Sequence, residues 1–217
     1  MKTIEIPTQT ILEPLWDTWG RKKYAGAWDI APACDFTSAS PQEVNEWIAT
    51  SLVDTLDAFS HLVRLGKMEF GAIYRDDVDN VVLEWHQELT YDSYIKQAIA
   101  QIREFPAPIY SLDMEVDLFA YCRTYESPDW PVRGWVRVPT SFSISGGMAE
   151  DLEPYLSFSI EHTLFCRWSA KGFDNNVLHS LNQPLLEKAL RRWEKRVGSL
   201  VEFEGFSGIY KYGFQDE

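Results

Sequence analysis

The chain has 217 residues, 45% of them hydrophobic and 24% charged, which suits one well-filled domain and is too apolar for disorder. Thirty-three acidic against 20 basic residues give a formal net charge of −13. That balance argues against a nucleic-acid backbone or an anionic membrane as partner, since both demand clustered Lys and Arg. The three cysteines, Cys34, Cys122 and Cys166, include no CxxC pair and make neither a disulfide framework nor a zinc site. Residues Met1 to Pro7 carry no apolar signal-peptide run, and no stretch approaches the ~18 apolar residues of a membrane span, so a cytoplasmic location is expected.

Residues 1–40 read as an irregular wrapping segment. Pro14, Gly20, Gly26 and Pro32 interrupt it among Trp16, Trp19, Tyr24 and Trp28, and such dense punctuation breaks regular structure. The rings point to a coil laid over a core edge, and Arg21-Lys22-Lys23 to a solvated turn. A helix is predicted from Pro41 to Leu65, with Ser40 and Glu43 as a capping box. Val44, Trp47, Ile48, Leu52, Leu56, Phe59 and Val63 form its apolar stripe, and Gly66 its end.

A β-hairpin follows, Lys67–Arg75 with Val81–Leu89, around the acidic turn Asp76-Asp77-Val78-Asp79-Asn80. A calcium loop counted from Asp77 would need Gly at its sixth position, where Val82 stands, so this is a plain turn. Thr90 or Asp92 caps a second helix that Pro106 and Pro108 stop. Three strands come next, Ser111–Cys122, Arg133–Ile144 and Tyr155–Trp168. The first alternates with period two: Leu112, Met114, Val116, Leu118, Ala120 and Cys122 on one face, Asp113, Glu115 and Asp117 on the other. A third helix is predicted to start near Pro184, capped by Asn182 and ended by Gly198, with an outer face rich in Lys and Arg. A last strand spans Leu200–Phe206.

The order is roughly α-β-β-α-β-β-β-α-β. Strands arriving in runs imply an α+β fold, a mainly antiparallel sheet of about five to six strands covered by three amphipathic helices, in a single globular domain.

The outward face of the three strands concentrates the chemistry. Asp113, Glu115 and Asp117 on the first strand would meet Trp135, Arg137, Ser141 and Ser143 on the second, and Ser157, Ser159, Glu161, Thr163 and Arg167 on the third. Same-face carboxylates ~6.8 Å apart in water repel by only ~0.6 kcal/mol, so an exposed acidic ladder is cheap, whereas a buried one is costly. His86 stands between Glu84 and Glu88 on its strand face, where a carboxylate can orient an imidazole. His162, among apolar neighbours, reads as a core histidine. There is no HExxH, GxSxG or phosphate-binding glycine loop, hence no catalytic residue, cofactor or metal to assign.

These features point first to an acidic interaction protein that binds a basic protein partner, in concrete form an immunity-like protein neutralising a toxin. A small-molecule-binding protein or hydrolase-type enzyme would use Asp113, Glu115, Asp117, Arg137, Glu161, Arg167 and His86 as a carboxylate-lined site. A structural subunit would oligomerise through its apolar helix or the glycine- and aromatic-rich tail Gly205–Phe214. The oligomeric state is not legible in the sequence.

Overall fold

Alternation along one long strand decides the layering. In the computed structural model, which describes residues 4–5, 11–15, 25–32, 34, 36, 38–72, 78–86, 88–138, 140–146, 154–169, 171–205 and 208–215, the strand Ser111–Cys122 forms as the period-two pattern predicts. Leu112, Met114, Leu118, Ala120 and Cys122 are fully buried, and Asp113 and Glu115 face outward, exposed.

In chain order the strands are β1 (Ile4–Glu5), β2 (Ile11–Leu12), β3 (Gly26–Ala31), β4 (Val63–Gly71), β5 (Val81–Glu84), β6 (Ser111–Cys122), β7 (Val132–Val136), β8 (Thr140–Ser145), β9 (Tyr155–Ile160), β10 (Ser199–Gly205), β11 (Ile209–Tyr210) and β12 (Gly213–Phe214). The first ten form one sheet, and the last two a small hairpin. The sheet runs β5-β4-β6-β8-β9-β3-β10, with β7 following β8 along the same edge of β6. The two-residue strands β1 and β2 lie parallel on β7; every other pairing is antiparallel. The sheet is therefore mixed and larger than the five to six strands expected. The α+β class stands.

The helices α1 (Pro41–Ala58), α2 (Tyr91–Glu104) and α3 (Asn176–Val197) cover one face. Phe59, at the end of α1, meets Phe142 of β8, Phe158 of β9 and Trp193 of α3, with ring centroids 4.8, 4.7 and 5.6 Å away. Ser40 and Glu43 make the capping box, and Thr90 caps α2. The basic outer face of α3 is partly spent on α1: Arg196 pairs with Asp54 and Asp57, and Arg192 donates to the Asp57 carbonyl.

Several boundaries differ from the sequence reading. Helix α1 stops at Ala58, and Val63 begins β4, because Val63, Leu65, Met68 and Phe70 face the core as a strand. Gly66 marks a register shift in that strand, not a helix end. Within the segment read as an irregular wrap, Gly26–Ala31 is a strand between β9 and β10, and Trp28 and Ile30 are fully buried; the glycine and Pro32 flank the strand. The predicted strand Arg133–Ile144 is broken near Arg137 and Val138. Leu118 faces Val136 while Glu115 faces Ser141, so the strand carries two extra residues between these pairs. The third strand ends at Ile160, and Thr163–Phe165 is a buried 3-10 turn. Helix α3 starts two turns before Pro184, and Asn182 lies buried inside it. Residues Trp16, Trp19, Tyr24, Arg21–Lys23, Asp76 and Asp77 lie outside the described residues.

Candidate functional site

The face of the sheet turned away from the helices is polar, and its register sorts it into rows. Directly opposed residues share a face, so the pairings across β4, β6, β8, β9, β3 and β10 align Glu69, Asp113, Ser143, Ser157, Asp29 and Glu202. The next row, beginning on β5, is Glu84, Lys67, Glu115, Ser141, Ser159, Ala27 and Glu204. Seven carboxylates and one ammonium occupy these two rows. Ser143 Oγ donates to Asp113 at 2.6 Å, Lys67 reaches Glu115 at 3.3 Å, and the Ser141 and Ser159 hydroxyls bond at 2.8 Å. Glu69 directly opposes Asp113, and Asp29 directly opposes Glu202. Each such like-charge pair at ~5.5 Å in water costs on the order of 0.8 kcal/mol. Burial raises the Tyr155 hydroxyl above its ordinary value, and the charges of Asp113 and Asp29 push the same way.

The third row is different in kind. Asp117 is 6% exposed although it belongs to the outward set. Arg64 of β4 donates from Nε and Nη2 to its Oδ2 at 3.1 and 3.0 Å, and Arg137 reaches Oδ1 at 3.5 Å from the other side. The Arg64 guanidinium lies between the rings of Trp85 and Trp135, 4.8 and 4.4 Å from their centroids. Trp135 packs on Phe119 at 5.1 Å, and Arg133 lies over Phe119 and Tyr121 at 4.6 and 5.5 Å. Stacking and ion pairing together offset the desolvation that a buried carboxylate incurs. The open face thus has an acidic, hydroxyl-lined half and an arginine–aromatic end.

Of the residues singled out in the sequence, Asp113, Glu115, Asp117 and Arg137 come together on this face. Glu161 is exposed just past the last rung of β9. His86 is exposed two residues beyond β5. Arg167 lies after the 3-10 turn and lines a separate open groove with Asn176, His179, Ser180 and Gln183 along α3. Arg64, Trp85, Asp29, Glu69, Glu202 and Glu204 were not singled out. The alternation of Lys67 and Glu69 with Met68 and Phe70 carried a signal for β4, as did Asp29 between Trp28 and Ile30 for β3.

Among the described residues, no three His, Cys, Asp or Glu side chains gather closely enough to hold a metal ion. No helix there is long and apolar enough to cross a membrane. Comparison of the chain with protein-family models, with curated proteins and with solved structures finds no match in any of the three.

Proposed function

We propose that this chain is an interaction protein whose open sheet face docks a basic protein partner, in the manner of an immunity-like protein that neutralises what it binds. The observation that carries the reading is the pair of acidic rows, with Glu69 opposed to Asp113 and Asp29 opposed to Glu202. A fold gains nothing from setting like charges directly across a sheet. A cationic surface laid over those rows relieves both repulsions at once and is steered there by the net charge of −13. The face is an extended sheet surface, which suits a protein better than a small molecule that needs concave enclosure.

The test is affinity capture from the source cells with three baits. These are the wild type, a face variant (Asp29→Asn, Asp113→Asn, Glu115→Gln), and a control neutralised elsewhere (Glu104→Gln, Glu126→Gln, Asp129→Asn). A stoichiometric basic partner held by wild type and control, lost by the folded face variant and released by salt, is the expected result. A partner retained equally by all three baits, or no stoichiometric partner, would overturn the reading.

A further inference from the structure

The sheet ends on β10, an edge that sets exposed apolar side chains among two outward glutamates and a register shift. Among the described residues β3 is the one strand laddered to it, and β11 of the small hairpin also contacts it. Val201 and Phe203 are 60% and 41% exposed, so apolar side chains stand uncovered on this edge beside Glu202 and Glu204. The first part of the edge is closed: Glu194 accepts the Leu200 N–H at 3.2 Å, and a register shift falls between Leu200 and Glu202. From Glu202 to Gly205 the ladder to β3 is regular. Over that stretch Glu202 and Glu204 point to the open face, opposite Asp29 and Ala27, while Phe203 shares the helix-side face with Trp28.

We infer that β10 is a strand-addition site for an extended segment that alternates cationic with apolar side chains, and that this is how the basic partner of the proposed reading, on which the inference rests, engages the sheet. Backbone hydrogen bonds along Glu202–Gly205 supply the register. Lysine or arginine side chains on the added strand meet Glu202 and Glu204 and extend the two acidic rows by one position, and the apolar side chains between them cover Phe203. A second copy of the chain does not fit. A two-fold antiparallel pairing of β10 with itself centred on Glu202, Phe203 or Glu204, with both open faces on one side, sets glutamate opposite glutamate, because Glu202 and Glu204 are the outward positions.

The probe is a seven-residue synthetic peptide alternating Lys with Val, titrated against the full chain while amide exchange is followed. Binding with new protection of those amides of 202–205 that point away from β3 is expected. Alternate N-methylation of the peptide should abolish it, since only backbone pairing needs those N–H groups. Glu202→Lys with Glu204→Lys should weaken the Lys–Val peptide by about tenfold or more and create binding to a Glu–Val peptide, a swap that an unfolded variant cannot produce. Equal binding of the N-methylated peptide, or protection confined to β6 and β8, would overturn strand addition while leaving the acidic face as the docking surface. Absence of binding to wild type would overturn it as well, and the capture experiment above would still decide the face.

Discussion

Asn182 of α3 accepts the Tyr121 N–H through Oδ1 at 2.8 Å and donates from Nδ2 to the Tyr121 carbonyl at 2.8 Å. One side-chain amide therefore does for β6 what a neighbouring strand would do, at the end of β6 that β4 does not reach. Its Nδ2 also donates to Leu164 O at 3.1 Å, tying the 3-10 turn to the same point. Asn45 and Asn175 act alike: Asn45 holds Phe105, Ala107 and Ile109 backbone groups, and Asn175 holds the Thr163 and Cys166 carbonyls. Three buried amides thus pin irregular chain to regular elements.

Asn182 is fully buried, and replacing it by Ala removes its bonds to three backbone groups, the Leu164 carbonyl in a buried place and the Tyr121 N–H and carbonyl in a partly buried one. With a buried unsatisfied group costing ~1–3 kcal/mol and the partly buried ones less, Asn182→Ala should destabilise the fold by about 2–3 kcal/mol. Urea titration should show a lower midpoint at unchanged slope. A loss below about 1 kcal/mol would mean that water replaces the amide.

Asn182 also shows what the sequence concealed. It stands two residues before Pro184, and Asn before Pro is a sound helix start by local rules. What overrides the rule is tertiary: Leu178, His179, Asn182 and Gln183 are all buried, so the helix begins earlier and accommodates the proline. Local signals located α2, β6 and the Ser40 capping box, because capping and strict alternation are decided by neighbours in sequence. They misjudged Val63, whose spacing from Phe59 fits a helical stripe and whose alternation with Leu65 fits a strand equally well. The face carrying Asp113, Glu115, Asp117 and Arg137 was legible from alternation alone. The identity of the groups beside Asp117, and hence its burial, depended on the register between β4 and β6, which no local pattern encodes.

The Arg64–Asp117 pair should behave as a buried ion pair. Asp117→Leu should cost about 3–5 kcal/mol, because it leaves the Arg64 guanidinium buried without its carboxylate, and Arg64→Met should cost less, because Arg137 still reaches Asp117. The double variant Arg64→Met with Asp117→Leu should recover a substantial part of that loss. A double-mutant cycle from chemical denaturation checks it, and strict additivity of the two losses would show that the two residues are not coupled.

The thiols should divide by burial. Burial pushes the Cys122 thiol up to about 12 and raises Cys166 as well, and both are buried, whereas Cys34 is half-exposed. Since the thiolate is the reactive form, a thiol reagent at pH 8 should label one cysteine in the native protein and three after denaturation. Cys34→Ser should remove the native reaction. Fast native labelling of Cys122 would place that end of β6 in frequent local opening.

Acid should unfold the chain partly through His162. The residue is fully buried, and burial lowers its pKa from 6.5 to about 3. The unfolded chain binds the proton more readily than the folded one. The contribution to stability is therefore fully present above the unfolded value and is lost as pH falls from about 6.5 toward about 3. Within that window each unit of pH should cost up to ~1.4 kcal/mol from this one group. Denaturant midpoints at pH 7, 5 and 4, compared between wild type and His162→Gln, isolate the term. The variant is expected to start less stable at pH 7 and to lose less on acidification. Parallel pH slopes for the two proteins would assign the acid sensitivity to the carboxylates instead.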